Sequence, residues 1–430
     1  MCYNKMKERR DGMKKTVLSL LMLLIFLLGG CATQAPQTSE NENETTPQAT
    51  SSSDFKEETG PKTVAPSEER TESETDAEIP EETPPQRNEK IDAILQQMTL
   101  EEKVGQLFII RPTADVQSPE EEPLKSMLNY PVGGIIFFAP NIVSPQQITS
   151  FTQTLQAGSK IPLFLSIDEE GGTVARIAKN SAFDVKTYRS AAAVAKNGDP
   201  QEAEEMGFTI GTYLKQYGFN LNFAPVADVN TNPNNPVIGV RAFSSDPLVA
   251  DRMAKAVASG LQQAGVAPVF KHFPGHGDTK EDSHDGLATS NKTLEELQNC
   301  ELIPFQNLPE NSCVMVGHIA LPKIAEPHVP SSLSKTVVTD LLREQMGFEG
   351  VIVTDSLAMG AIKNAYTNGE AAVKAVEAGC DILLDPSVFP EAFQGLYAAV
   401  QEGKISEERI DESVYRILCL KDSLGLLGEN

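Results

Sequence analysis

The stretch from Lys271 to His284 reads KHFPGHGDTKEDSH and holds three of the chain's five histidines. It ends in an aspartate and a histidine that could transfer a proton together. Asp282 and His284 are two residues apart, so an extended backbone points both side chains the same way. A carboxylate beside an imidazole fixes the tautomer of the ring and raises its proton affinity. The pair is therefore predicted to be a general acid/base that works near neutral pH.

Two other interpretations of this stretch stay open. His272 and His276 have the spacing of zinc ligands on a helix, but a proline and a glycine lie between them, so a metal site would have to be built from loops. The FPGHGD segment also specifies a tight turn, in which His276 would hydrogen bond to the backbone of its own loop. Because a turn alone does not account for Asp282 and His284, we expect a catalytic loop that needs no metal or other cofactor.

Asp355 is the candidate nucleophile, since it ends the apolar run GVIVTD. A carboxylate in this position can attack the anomeric carbon of a sugar and form an ester, which water then cleaves with retention of configuration. The usual partner in such a reaction is a second carboxylic acid about 5 to 5.5 Å away. Here His284 would serve as the acid/base in place of the second carboxylic acid.

The elements that must position these groups are short apolar runs alternating with helix-length amphipathic stretches. The runs cover residues 106–110, 132–138, 162–168, 220–228, 266–273, 312–319, 350–356 and 381–386. Near-continuously apolar runs separated by helices are typical of buried parallel strands. The two stretches beginning at Pro200 and Pro247 have helical periodicity and end at glycine. The pattern predicts an α/β fold, an eightfold β/α (TIM-like) barrel forming one catalytic domain over residues 88–430.

Several of these runs end on polar residues, which are rare inside a buried strand. They are Asp168, Asp228, Lys271 with His272, His318, Asp355 and Asp385. In a β/α barrel such positions lie at the carboxyl ends of the strands, where active sites are built, so we expect them to converge on one pocket. Asp385 is the exception, since it is interpreted as a cap of the following helix.

The first 87 residues carry a different pattern. Within residues 1–31, the part from Met13 onward contains two lysines, an apolar run too short to span a membrane, and the sequence LGGC, which resembles the lipobox of bacterial lipoproteins. We expect an export signal with Met13 as a possible true start and Cys31 as the lipidated residue. The protein would then be anchored by lipid to the outer face of the cell membrane.

The next segment, residues 32–87, is rich in Ser, Thr, Glu and Pro and is expected to be a disordered tether. It carries much of the formal charge of −24, which argues against nucleic acid as a partner. The cysteines at 300, 313, 380 and 419 show no pairing motif, so buried free thiols are favoured over disulfides.

Four motifs together resemble those of the family 3 glycoside hydrolases, and among them the bacterial β-N-acetylglucosaminidases. The motifs are IDEEGGTVARI, NPVIGVRAF, KHFPGHGDTKEDSH and VIVTDSLAMGAI, in the family's order and within residues 90–425. The resemblance implies that Asp355 is the nucleophile and that Asp282 and His284 form the acid/base dyad. It also implies five substrate-binding residues, namely Asp168, Arg176, Arg241, Lys271 and His272.

The chain departs from the family pattern at Thr173, where arginine is common, and at Ala288, where proline often follows the acid/base loop. It also contains no tryptophan, so sugar contacts must use Phe, Tyr and polar groups, which suggests a short substrate.

The leading hypothesis is an exo-acting β-N-acetylglucosaminidase that acts on cell-wall (peptidoglycan) fragments. A phosphorylase or β-glucosidase of the same family is the first alternative, because a neutral histidine acid/base would let phosphate enter in place of water. A sugar-binding lipoprotein that has lost catalysis is an alternative of another class.

Overall fold

The computed structural model describes residues 87–280 and 286–428, all within one compact unit. Eight parallel strands form a single sheet in the order β8-β1-β2-β3-β4-β5-β6-β7. They are β1 Phe108–Ile110, β2 Gly134–Phe137, β3 Phe164–Ile167, β4 Leu221–Asn222, β5 Ala267–Phe273, β6 Cys313–Val316, β7 Val351–Thr354 and β8 Leu383–Leu384. A parallel bridge between Val353 and Ile382 joins β7 to β8, so the sheet closes into the predicted barrel.

Helices surround the barrel and return the chain from the end of one strand to the start of the next. They are α1 Glu89–Gln96, α2 Leu100–Gln106, α3 Leu124–Met127, α4 Pro145–Gly158, α5 Ala191–Val194, α6 Pro200–Gln216, α7 Pro247–Gln263, α8 Leu294–Gln298, α9 Gly360–Lys363, α10 Asn368–Ala378, α11 Phe389–Gln401 and α12 Glu407–Ser423. A π-type helix, Thr336–Gln345, precedes β7. None of the described helices is long and apolar enough to cross a membrane.

The two helices expected to begin at proline do so, which confirms that reading of the sequence. Pro200 and Pro247 are the first residues of α6 and α7. Asp199 and Asp246 precede them and accept hydrogen bonds from backbone N–H groups of the first turn. Proline suits this position because its fixed φ is helical and it has no N–H to leave unpaired.

The strand β5 is the element on which the site depends most. All seven of its residues are buried, including Lys271 and His272 near its carboxyl end. The ladder between β5 and β6 shifts register between Lys271 and Phe273, so the strand is irregular where it carries these side chains. Two buried polar side chains in an apolar strand require partners, and these partners define the cavity described below.

The four cysteines at positions 300, 313, 380 and 419 are free thiols, as the sequence favours. Cys313 and Cys380 are buried, and burial raises the pKa of both thiols. The predictions for residues 1–31, including Cys31, and for residues 32–86 of the tether lie outside the described residues.

A buried lysine lies at the other end of the barrel, beside the amino ends of β2 and β3. The Nζ atom of Lys421 donates to Gln106 Oε1 at 2.7 Å and to the Gly133 carbonyl at 3.0 Å, and it lies 4.8 Å from the centre of the Phe164 ring. Among residues 87–280 and 286–428, its hydrogen-bond partners are uncharged, and burial alone shifts its pKa. Burial lowers the pKa of Lys421 to about 7.

We expect this lysine to make stability depend on pH. Its folded pKa lies below the ordinary value of 10.5, so between pH 7 and 10 the unfolded chain binds the proton more readily than the folded chain. The free energy of unfolding of the natural protein, relative to Lys421→Met, should therefore rise with pH by up to about 1.4 kcal/mol per pH unit. Urea unfolding of both proteins across this range measures the difference. Parallel pH curves would contradict the prediction.

Candidate active site

A cavity of about 450 Å³ opens at the carboxyl ends of the barrel strands. Six of the eight residues predicted to be catalytic or substrate-binding line it: Asp168, Arg176, Arg241, Lys271, His272 and Asp355. They come from the ends of β3, β5 and β7 and from the loops after β3 and β4. Residues separated by up to 187 positions in the chain (168 to 355) are thus brought to one pocket, which is how a β/α barrel assembles an active site.

A network of ion pairs covers one wall of the cavity. Lys271 Nζ lies 2.7 Å from Asp168 Oδ1 and 2.8 Å from Glu170 Oε1. Arg241 holds Glu170 with two parallel hydrogen bonds of 2.7 and 2.9 Å. Arg176 Nη2 approaches Asp168 Oδ2 at 3.4 Å. The network fixes the positions of the donors and acceptors that face the cavity.

The charges in this network hold one another in the ionised state. Burial alone would raise the pKa of Glu170, but Lys271 and Arg241 together lower it to about 2. Burial disfavours the charged form of Lys271, but Asp168 and Glu170 outweigh this effect and raise its pKa. At neutral pH the wall therefore presents fixed positive and negative groups in alternation, the arrangement that suits a ring of sugar hydroxyls.

Glu170 was not nominated from the sequence, although a signal for it was present. Asp168 and Glu170 are two apart in the segment DEEGG, so an extended backbone places them on the same side. Glu169, between them, points the other way and is fully buried. It accepts backbone N–H bonds from residues 176–178 at 2.5 to 3.0 Å and the hydroxyl of Tyr213 at 2.9 Å. Glu169 thereby holds the loop that carries Arg176.

The double glycine after these acids lets the loop turn. Gly171 and Gly172 both have positive φ, of 79° and 73°. A Cβ atom on Gly172 would lie 2.7 Å from Ser190 Cα, so a larger residue has no room there. Thr173, the first departure from the family pattern, is exposed and does not line the cavity.

His272 is held by Asp228, which is fully buried beneath it. His272 Nδ1 lies 2.7 Å from Asp228 Oδ2, and the other oxygen of Asp228 accepts the backbone N–H of His276 at 2.6 Å. Thr279 Oγ1 contacts the ring of His276 at 2.7 Å. Asp228 therefore supports the site from behind, and the expectation that it lines the pocket is wrong.

The metal interpretation gains no support from these contacts. Outside the gap at 281–285, the described residues contain no group of three or more His, Cys, Asp or Glu side chains that could hold a metal ion. His272 and His276 face each other edge to face, with ring centres 6.0 Å apart, and each is held by a neighbouring oxygen.

Asp355 immediately follows β7. Its Oδ1 accepts the backbone N–H of Ser356 at 2.7 Å. Burial would raise its pKa, but His318, His272, the Ser356 N–H and Lys271 outweigh this and lower it. The carboxylate is therefore ionised at neutral pH, as a nucleophile must be.

His318 was also expected to line the pocket, and this too is wrong. Its ring is fully buried, with Nδ1 2.7 Å from Ser332 Oγ and Nε2 2.9 Å from the carbonyl of Ser356. Since a carbonyl can only accept, Nε2 donates. The His318 side chain therefore contacts Ser356, the residue next to Asp355, and does not line the cavity.

Asp385 does line the cavity, and its interpretation as a helix cap is corrected. The following helix, α11, begins at Phe389, and its N-cap residue is Val388, without a side-chain cap bond. The carboxylate of Asp385 instead accepts from Ser356 Oγ at 2.7 Å and lies 3.2 Å from Arg111 Nε. The cause is the left-handed backbone of Asp385, with φ of 50°, which turns the side chain toward β7 and β1.

Asp282 and His284 lie in residues 281–285, outside the described residues. The chain before this segment is anchored, because the Thr279 carbonyl accepts from Asn232 Nδ2 at 2.8 Å and from Asn235 Nδ2 at 3.2 Å. After it, Ala288, the second departure from the family pattern, is buried in a short parallel strand paired with Ile319–Ala320.

Comparison with known proteins places these features in a family. Residues 99–420 match the model described as glycosyl hydrolase family 3 N terminal domain. The chain is 36% identical to beta-hexosaminidase A of Pseudoalteromonas piscicida over 69% of its own length and 54% of that protein. It is 34% identical to beta-hexosaminidase LpqI of Mycobacterium tuberculosis, over 74% of its own length and 82% of that protein.

A solved structure of a glycoside hydrolase family 3 beta-N-acetylglucosaminidase from a Paenibacillus species also matches. The identity is 40% and the TM-score 0.72, over 77% of this chain and 64% of that one. The chain thus spans about half to two thirds of the length of two of these three proteins.

Proposed function

Because the chain belongs to glycosyl hydrolase family 3, we propose that it is an exo-acting, retaining β-N-acetylglucosaminidase that removes terminal N-acetylglucosamine from cell-wall fragments. The observation that carries the proposal is the shared cavity. Asp355, ionised at neutral pH, opens into the same 450 Å³ space as the wall built by Asp168, Lys271, Glu170 and Arg241. The three relatives described above, named hexosaminidases or a β-N-acetylglucosaminidase, support this choice of sugar.

Substrate binding uses the ion-pair wall. Asp168 can accept hydrogen bonds from two adjacent sugar hydroxyls, while Lys271, Arg176 and Arg241 donate to the remaining oxygens. His272, oriented by Asp228, adds a ring nitrogen at the edge of the cavity. Since these groups are already fixed by one another, little side-chain entropy is lost when the sugar binds.

The reaction has two steps. In the first, Asp355 attacks the anomeric carbon, the bond to the leaving group breaks, and His284 gives its proton to the departing oxygen. In the second, His284 takes a proton from water, the water oxygen attacks the same carbon, and the carboxylate of Asp355 leaves. Asp282 would pair with His284 and hold its tautomer through both steps. No metal or cofactor takes part.

Turnover of a chromogenic β-N-acetylglucosaminide beside the matching β-glucoside tests the proposal. We expect the β-N-acetylglucosaminide to be hydrolysed far faster than the β-glucoside, and this activity should persist in the presence of EDTA and in the absence of phosphate. Preference for the glucoside would indicate a β-glucosidase, and a sugar phosphate formed only with phosphate would indicate a phosphorylase. Loss of activity in EDTA that zinc restores would indicate a metal site. Binding without any turnover would favour the sugar-binding alternative.

The proposal includes a location, supported by the LGGC sequence at residues 28–31. Lipidation at Cys31 would anchor the protein on the outer face of the membrane, with residues 32–87 as a tether. We expect Cys31→Ser to leave the precursor uncleaved or to release the protein into the medium. Immunoblots of membrane and soluble fractions measure this. An unchanged membrane fraction of normal mature size would remove the lipoprotein reading.

A further inference from the structure

Three polar side chains form a chain of contacts at the edge of the cavity beside Asp355. Asp385 follows β8, Ser356 follows Asp355 at the end of β7, and Arg111 follows β1. The Asp385 carboxylate accepts from Ser356 Oγ at 2.7 Å through Oδ2 and lies 3.2 Å from Arg111 Nε through Oδ1. Asp385 is 2% exposed, so its carboxylate is buried, while the Arg111 side chain is 43% exposed.

Ser356 is held by two contacts and, through a third, holds Asp355. Its hydroxyl donates to Asp385, its carbonyl accepts from His318 Nε2 at 2.9 Å, and its N–H donates to Asp355 Oδ1 at 2.7 Å. The residue next to Asp355 therefore has its backbone fixed from both sides. Any movement of Ser356 would move the N–H that orients the Asp355 carboxylate.

We propose that Asp385 is a positioning residue that acts through Ser356 to hold the Asp355 carboxylate in the orientation for attack. The inference rests on the assignment of Asp355 as nucleophile under the proposed function. Arg111 completes the arrangement by fixing the other oxygen of Asp385, while its guanidinium lies 5.3 Å from the centre of the Phe138 ring.

The backbone of Asp385 supports a role beyond packing. A residue with a side chain at φ of 50° costs free energy relative to glycine, and such conformations persist where the surrounding structure requires them. The carboxylate does not cap α11, whose N-cap is Val388. What the strained conformation achieves is to direct the carboxylate to Ser356 and Arg111.

The charge of Asp385 is sensitive to pH near neutrality. Burial raises the pKa of Asp385 to about 6, an effect that Arg111 and Ser356 oppose and that Asp168 and Asp355 reinforce. The charged groups among them, Arg111, Asp168 and Asp355, face it from the ends of β1, β3 and β7, and Lys363 on α9 lines the same cavity. Above pH 6 the carboxylate is charged and holds Ser356 and Arg111. Below pH 6 it gains a proton, and the ion pair to Arg111 is lost.

A pH profile of kcat/KM on a chromogenic β-N-acetylglucosaminide tests the inference. The natural protein should lose activity below about pH 6, where Asp385 gains a proton. Asp355 does not cause this inflection, because its pKa is lowered from the ordinary value. Asp385→Asn is close in shape to the protonated carboxyl and does not titrate. At pH 7.5 it should lower kcat about 10- to 100-fold with little change in KM, and it should abolish the inflection near pH 6.

Ser356→Ala and the double variant decide whether Asp385 acts through Ser356. If it does, Ser356→Ala also loses the inflection, and Asp385→Asn/Ser356→Ala is no slower than the slower single variant. Asp184→Asn, a change of the same kind at an exposed carboxylate, is the matched control and should keep the natural rate and profile. Thermal unfolding checks that each variant is folded. If Asp385→Asn does not fold, the profile of Ser356→Ala carries the test.

Two results would overturn the inference: an inflection near pH 6 retained in the single variants, or rate losses that multiply in the double variant. Failure of the proposed function looks different, because then the natural protein itself would turn over no β-N-acetylglucosaminide, or Asp355→Ala would remain active.

Discussion

Asp355→Ala should lower kcat/KM for every β-N-acetylglucosaminide by at least about 10³-fold, whatever the leaving group. The substitution removes the oxygen proposed to form the covalent intermediate, so a better leaving group should not compensate. Steady-state rates on a series of aryl glycosides with different leaving-group pKa values measure this. KM should change less than kcat, because the ion-pair wall proposed to bind the sugar stays in place.

Added azide gives the prediction a stereochemical check. In Asp355→Ala, azide can enter where the carboxylate was and attack the sugar directly, which inverts the configuration and gives an α-glycosyl azide. Asp184→Ala, at an exposed site, serves as the control and should keep full activity. A variant at Asp355 that retains near-natural rates on activated substrates would show that another residue is the nucleophile.

His284→Ala should affect the two steps unequally. A phenolate that departs without a proton needs no acid, so formation of the glycosyl-enzyme should be slowed little. Breakdown of that ester needs a base to activate water and should stall. We expect a burst of phenolate followed by slow turnover, and a protein heavier by one N-acetylglucosamine residue, attached at Asp355, in the mass spectrum.

Azide also distinguishes the acid/base from the nucleophile, because its product in His284→Ala should have the anomeric configuration opposite to that in Asp355→Ala. It needs no base, so it should restore turnover in His284→Ala by attacking the ester at Asp355 and give a β-glycosyl azide. Asp282→Asn should show the same defects as His284→Ala to a smaller extent, because His284 is still present. If azide does not restore turnover and no adduct forms with any activated substrate, His284 is not the acid/base.

The barrel could be predicted from the sequence because each buried strand leaves a local signal. All eight apolar runs contain a strand of the sheet. Apart from Arg176 and Arg241, which were expected only from the family resemblance, the six pocket residues could be predicted for a similar reason, since the carboxyl end of a strand in this fold faces the active site. Both inferences need only the neighbouring residues in the chain.

What could not be predicted depends on contacts between distant segments. Lys271 meets Asp168 across 103 residues, and nothing in either segment shows which acid pairs with which base. Asp385 was misread because an aspartate after a strand usually caps the next helix, whereas its left-handed backbone sends it to Ser356. Asp228 and His318 end strand runs as the true pocket residues do, yet each is directed at a neighbour.

The side chains around the cavity also determine its electrostatics during turnover. Among the described residues that line it, five are cationic and four anionic, namely Arg111, Arg176, Arg241, Lys271 and Lys363 against Asp168, Glu170, Asp355 and Asp385. Esterification of Asp355 would cancel one negative charge, so the formal excess of positive charge among these described residues would rise from one to two at the intermediate. The covalent state would thus attract anions more strongly than the resting enzyme does, which favours hydroxide-like character in the incoming water and capture by azide.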